Sequence, residues 1–189
     1  GKVCREYRDI GKTLSADWKL LDWIGIVATH LNASTFVAGL TGINGLKRKV
    51  HWVKMKPEKE ALKEVKKHFG KKVVVAAGYE PGHSTDYDAA IFAEAVGADL
   101  LINASNIDGV YTADPKRYKS AKKLKRLGHS EFIKIIKKNV QAPGEYRLFD
   151  LPAAKTIKKA KIKTIIIDGK DPEEILRAVE GKHNGTVIG

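Results

Sequence analysis

The chain contains a single cysteine, Cys4, so an intrachain disulfide and a cysteine-based zinc cluster are both excluded. Its six histidines form neither a His-Glu-x-x-His run nor a cysteine–histidine pairing, and no structural metal is assigned. No stretch is expected to reach the apolar length that spans a bilayer, and the start lacks the charged-then-apolar layout of a secretory leader. A cytoplasmic protein with no membrane partner is therefore expected. Internal repeats, low-complexity tracts and linkers are also missing. The 189 residues, 43% of them hydrophobic, thus read as one domain with one core.

Negative charge is in short supply. Lysine and arginine number 35 against 22 acidic residues, giving a net charge of +13 and a pI near 9.7, which raises nucleic acid as a partner. Much of the excess, however, lies in Lys59, Lys63, Lys66 and Lys67 and in the Lys122 to Lys138 region. There it is interleaved with carboxylates or helix-periodic apolar residues, the pattern of solvated helix faces. No aromatic-studded basic stripe is present, so RNA or DNA is not the expected partner. On the helix after Pro57, Leu62, Val65 and Phe69 form the predicted buried stripe, with Glu60–Lys63 and Glu64–Lys67 spaced to pair.

What the chain does have is alternation. Helices are predicted over 2–13, about Leu20 to Leu40, Pro57 to Phe69, 86–97, Ser130–Lys137, 151–161 and Pro172–Glu180. Strands are predicted over Val50–Val53, 72–77, 99–104, Lys163–Ile167 and Thr186–Ile188. Strands alternating with amphipathic helices give an α/β fold, a mainly parallel sheet with helices on both faces.

Two connections carry chemistry. The run Gly78-Tyr-Glu-Pro-Gly-His-Ser-Thr-Asp86 joins the strand at 72–77 to a helix. Pro81 and Gly82 turn the chain, and Ser84, Thr85 and Asp86 offer capping oxygens at the helix start. First-turn N–H groups and the helix dipole attract phosphate or carboxylate there; an ordinary capped connection explains the same residues equally well. The second connection, Asn103 to Pro115, crowds amide, hydroxyl, carboxylate and phenol groups past the carboxyl end of a strand, the edge where open α/β sheets bind ligands. A turn at Asn106-Ile-Asp108-Gly109 accounts for the Asp-Gly pair but gives Tyr111 and Asp114 no role.

Taken in order, Pro81-Gly-His-Ser-Thr-Asp86, Asn106-Ile-Asp-Gly-Val-Tyr-Thr-Ala-Asp-Pro115, Asp150-Leu-Pro-Ala-Ala-Lys155 and His183-Asn-Gly-Thr186 resemble the amino acid kinase family, most closely its archaeal-type uridylate-phosphorylating branch. Gly1-Lys-Val-Cys-Arg5 and Asp22-Trp-Ile-Gly25 extend the resemblance over nearly the whole chain, and several motifs in register are far more specific than one. The resemblance implies a three-layer αβα sandwich of the carbamate kinase-like type. Residues 1–70 would form the monophosphate side of the domain, and 71–189 would include the ATP side. It further implies transfer of the ATP γ-phosphoryl group to UMP, with Mg²⁺ as cofactor and a homo-oligomer, a hexamer, as the assembly.

Residue by residue, the resemblance places Gly1, Asp22, Tyr79, Glu80, Pro81, Gly82, His83, Ser84 and Thr85 at the UMP. It places Arg5, Ser105, Asn106, Tyr111 and Asp114 at the ATP, and Asp86 and Asp150 at the reaction centre or its Mg²⁺. Asp22 is also a helix-start charge, Asp150 also an N-cap, and Lys155 reads better as a helix-surface lysine than as a polyphosphate ligand. Departures from the family pattern are Ala77 in place of glycine, Ser84 in place of threonine, and Gly144-Glu-Tyr-Arg-Leu-Phe149 in place of a smaller Ser-rich loop. The strand and Gly-Gly-Ser or Gly-Gly-Asn loop that open family members would lie before Gly1, so an N-terminally incomplete sheet is expected. A kinase of another small phosphorylated or carboxylated substrate would share the ATP half, and a non-catalytic oxyanion-binding relative would tolerate the missing loop.

Overall fold

A computed structural model describes residues 2–140 and 148–189; Gly1 and the 144–147 part of the Ser-loop replacement lie outside it. The chain divides into two compact units, one through Asp88 and one from Ala89.

The first unit contains helices α1 (Lys2–Thr13), α2 (Trp18–Gly42) and α3 (Glu58–His68), strands β1 (Val50–Trp52) and β2 (Val73–Val75), and the start of α4 (Thr85–Val96). The two strands pair in parallel, Val50 opposite Val73. α2 begins where Asp17 accepts the Leu20 N–H at 2.9 Å, an N-cap that satisfies one orphan donor. α1 packs on α2 at close range, since a Cβ at buried Gly11 would lie 2.9 Å from Leu21 Cδ2.

Two expectations for this unit need correction. The α3 stripe consists of buried Ala61 and Val65, while Phe69 is 50% exposed: the helix ends at His68, and Phe69 leaves the helical path as its C-cap. Glu64 pairs not along its own helix but with His51 Nε2 at 2.6 Å and with Lys56.

The expectation about bilayer-length segments is also corrected, because α2, at 25 residues, is long and apolar enough to cross a membrane by length and composition. Asp22, His30 and Asn32 interrupt the run in sequence, yet a helix gathers them onto part of its circumference and leaves apolar faces between. Leu20, Trp23, Val27 and Leu31 form one such stripe at i+3 and i+4 spacing, 39–55% exposed.

Gly39 lies inside α2 with nothing within 4 Å of the position a Cβ would take. Gly39→Ala is expected to stabilise the protein by about 0.5–1 kcal/mol, the helix cost of glycine relative to alanine; chemical denaturation reads this directly.

The second unit holds strands β3 (Leu100–Ser105), β4 (Val110–Tyr111), β5 (Lys123–Leu124), β6 (Arg126–Leu127), β7 (Lys163–Asp168) and β8 (Thr186–Ile188), with helices α5 (His129–Val140), α6 (Leu151–Ala160) and α7 (Glu173–Val179). Its main sheet runs β3-β7-β8-β6. β3–β7 and β6–β8 are parallel and β7–β8 antiparallel. Ile165, Ile166 and Ile167 on β7 are at most 1% exposed, the continuous apolar run of a strand covered on both faces. Ile165 and Ile167 pack with Ala178 of α7, Val187 of β8 and the partly buried Leu100 and Ile102. The α/β class with predominantly parallel pairing is thus as the sequence predicts.

Candidate functional site

In the first unit, α2 holds the loop after β2 at both ends. The Gly78 N–H donates to Thr29 Oγ1 at 3.0 Å, and His30 Nε2 donates to the Gly78 carbonyl at 2.9 Å. Farther along, the Gly82 N–H donates to Asp22 Oδ2 at 2.9 Å. Gly82 has φ +87°, a conformation that favours glycine because a Cβ would be strained. Arg8 of α1 faces Asp22 Oδ1 at 3.8 Å, and its Nε is buried without a hydrogen-bond partner.

The loop runs into α4 through an N-cap in which the Tyr87 N–H donates to Ser84 Oγ at 3.1 Å. Thr85 is exposed and Asp86 half-buried in the first turn. Beside the loop lies a cavity of about 600 Å³. Trp18, Trp23, Met55 and Pro57 give it apolar walls, Lys19 and Lys56 supply charge, and Tyr79, Glu80 and Pro81 form the loop side. That volume is in the range of small-molecule sites.

Tyr79 is not presented as a phenol ligand. It is 2% exposed, its hydroxyl donates to the Val53 carbonyl at 3.2 Å, and burial pushes its pKa up to about 12. Arg5 is exposed, three residues before Arg8 on the same helix. Sequence reasoning missed Thr29, His30 and Arg8. The available signal was spacing, since Thr29 and His30 follow Asp22 by about two helical turns and Arg8 follows Arg5 by one.

Burial is also the main reason that His30 sits below the ordinary histidine value of 6.5, opposed by its bond to Gly78. A carbonyl only accepts, so the neutral ring must carry its proton on Nε2. The unfolded chain takes up a proton as pH falls through about 6.5, whereas the folded ring resists it. The stability from neutral His30 is therefore complete above that pH and declines below it, toward the depressed folded value. Melting curves between about pH 8 and about pH 5 are expected to show this loss, and His30→Gln to flatten that part of the profile.

In the second unit the strand-end loop is equally organised. The Gly169 N–H donates to the Ser105 carbonyl at 2.6 Å. Ser105 Oγ lies 3.4 Å from Asn106 Oδ1, and Asn106 is exposed. Tyr111 donates its hydroxyl to Asp108 Oδ1 at 3.0 Å, and Lys123 Nζ reaches Asp108 Oδ2 at 2.9 Å. Partial burial pushes the Asp108 carboxyl up, but the hydrogen bonds from Lys123 and Tyr111 outweigh it and hold the group below the usual carboxylate range. Burial and the bond to Asp108 raise the Tyr111 phenol. Asp114 accepts from the Lys116 N–H at 2.9 Å and faces Arg117 at 4.0 Å, so it organises the turn that follows. Asp150 accepts from the Ala153 N–H at 2.6 Å as the N-cap of α6, and Lys155 is exposed. Asp108 and Lys123 were missed as a pair because they meet only across the β4–β5 hairpin.

A glycine turn that opens onto a helix N-terminus is one geometry by which α/β proteins hold phosphate. The chain matches the model of the amino acid kinase family over residues 1–168. It is 42% identical over 188 residues to the uridylate kinase of Archaeoglobus fulgidus, covering 100% of this chain and 81% of that protein. It is 37% identical to the uridylate kinase of Methanocaldococcus jannaschii, covering 100% and 79%. The crystal structure of the A. fulgidus uridylate kinase superposes with a TM-score of 0.82 at 40% identity, over 100% of this chain and 81% of that one. A UMP kinase from Bacillus anthracis, 23% identical, shares the fold with a TM-score of 0.78 over 96% and 73% of the two chains. The chain belongs to the amino acid kinase family.

Proposed function

We propose that the protein is a uridylate kinase, which transfers the γ-phosphoryl group of ATP to the phosphate of UMP to give UDP and ADP in pyrimidine nucleotide synthesis. The observation that carries this reading is the Asp22–Gly82 bond, which holds the Gly-His-Ser-Thr loop in place at the head of α4, in a chain 42% identical from end to end to a uridylate kinase.

On this reading the first unit supplies the acceptor contacts: Asp22 for the ribose, and Glu80, Pro81, Gly82, His83, Ser84 and Thr85, with the Tyr79 main chain, for the phosphate and uridine. Arg8 is added as an oxyanion partner, because its planar fork suits phosphate. Ser105, Asn106, Tyr111 and Asp114 of the second unit, together with Arg5, serve ATP. Gly1, also assigned to UMP from the resemblance, lies outside the described residues.

A UMP phosphate oxygen forms the new bond to the γ-phosphorus as the bond to the β,γ-bridging oxygen breaks, and ADP leaves with that electron pair. This chemistry needs positioning and charge stabilisation more than proton transfer. The hydroxyl and N–H groups at the head of α4 orient the acceptor, and the carboxylates of Asp86 and Asp150 are hard oxygen donors of the type that suits Mg²⁺. When bound, Mg²⁺ supplies neutralisation of the polyphosphate charge.

The uncovered apolar stripe of α2 supports a homo-oligomer, with a hexamer as the proposed state, and a cytoplasmic site of action follows from the substrates. UDP formation with UMP, and with CMP as the control acceptor, tests the function. Turnover with UMP and a rate at least about 100-fold lower with CMP are expected. Folded protein that neither turns over nor binds UMP would overturn the assignment.

A further inference from the structure

We propose that Glu58, His83 and Asp88 form a binding site for one divalent transition-metal ion of the zinc type. One oxygen from each carboxylate and one ring nitrogen of His83 all lie within 4.8 Å of one another. They come from three different places in the first unit: the first residue of α3, the loop, and the first turn of α4.

Three features point to a cation rather than to an ordinary polar contact. Glu58 Oε2 is buried and accepts no hydrogen bond. His83 Nδ1 lies 3.2 Å from that oxygen without the alignment of a hydrogen bond, so a ring nitrogen and a carboxylate oxygen converge on one point. Asp88 is only 4% exposed. Two carboxylates and an imidazole nitrogen thus converge in a half-buried place, a donor set whose charge a dication offsets. The His83 side chain is 32% exposed, which leaves an entry path.

The donor set selects the ion. One imidazole and two carboxylates suit Zn²⁺, Co²⁺ or Ni²⁺, whereas Mg²⁺ demands a full oxygen octahedron and keeps its waters. Ligands at about 2.0–2.2 Å in a tetrahedron stand roughly 3.4 Å apart, so seating an ion draws the widest pair together by side-chain rotation. The fourth position is left to water. A bound ion would tie the loop to α3 and α4 and add positive charge beside the proposed acceptor phosphate. The site itself rests on no part of the uridylate kinase reading.

Zinc titration of the chelator-stripped 189-residue chain, without nucleotide and in excess Mg²⁺, is the test. One equivalent is expected to bind, and Co²⁺ in its place to give visible absorption of a tetrahedral or five-coordinate ion. Glu58→Gln and Asp88→Asn should each weaken binding at least about tenfold, while His68→Asn, which alters a histidine stacked on His51 away from the three ligands, should leave it unchanged. Buried Asp88 is the riskier position for folding, so partly exposed Glu58 serves as the deciding variant. Absence of stoichiometric binding, or equal affinity in a natively folded Glu58→Gln protein, would overturn the proposal. Because no UMP is present, failure here is separate from failure of UMP turnover.

Discussion

Asp22→Ala is expected to lower kcat/KM for UMP by about two orders of magnitude while the KM for ATP stays within about twofold. The carboxylate accepts the Gly82 N–H at 2.9 Å and faces Arg8 at 3.8 Å, and in the proposed complex it also takes the ribose hydroxyls. A hydrogen bond to a charged group contributes about 1.5–3 kcal/mol, roughly ten- to a hundredfold in binding. Losing the loop anchor together with a substrate contact belongs at the upper end of that range. Asp22→Asn keeps an acceptor oxygen for Gly82 but loses the charge, and a smaller loss of about tenfold is expected. Steady-state kinetics with each substrate varied, backed by calorimetric titration with UMP, separates these outcomes. An unchanged KM for UMP in Asp22→Ala would remove Asp22 from the acceptor site.

Gly185→Ala carries the largest expected cost in stability. A Cβ at this position would overlap the carbonyl oxygen of Ile166 and approach Ile167 Cγ2 at 2.7 Å. The obstruction is backbone, in the strand next to β8, and cannot be relieved by a rotamer change. The shift must move β8 off β7, where Thr186 stands opposite Ile166. That movement also pulls on Thr186 Oγ1, which accepts from the Val110 N–H at 2.8 Å and donates to the Leu124 carbonyl at 2.6 Å. Overpacking of this kind costs about 3 kcal/mol or more, and for a chain of this length lowers the melting temperature by roughly 10 °C. The open-space substitution Gly39→Ala is the matched control.

Legibility in the sequence followed the length and periodicity of each element. α1, α2, α4 and α6 are long enough for a helical repeat to stand out, and their ends fall within about two residues of the predicted ones. The two-residue strands β4, β5 and β6 carry no period, and only tertiary pairing makes them strands. The antiparallel setting of β8 against β7 is likewise decided by the chain's route through α7, which no local pattern encodes.

At the site, the turn at Gly82 and the cap at Ser84 were readable from residue type. The partners of the loop were not, because Asp22, Thr29 and His30 lie 48–60 residues from the glycines they hold. Tyr79 shows the converse. It belongs to the loop by sequence, yet its hydroxyl is committed to Val53, which only the packing reveals. Glu58, His83 and Asp88 have no shared spacing, so their convergence is a property of the fold alone.

Because a single helix grips Gly78 through two side chains and Gly82 through a third, opening of the loop and loosening of α2 are steps of one equilibrium. The amide protons of Gly78 and Gly82 should then exchange with deuterium on the timescale of the middle of α2 rather than that of an exposed turn. The order of the proposed acceptor loop would be set by how firmly that helix is held.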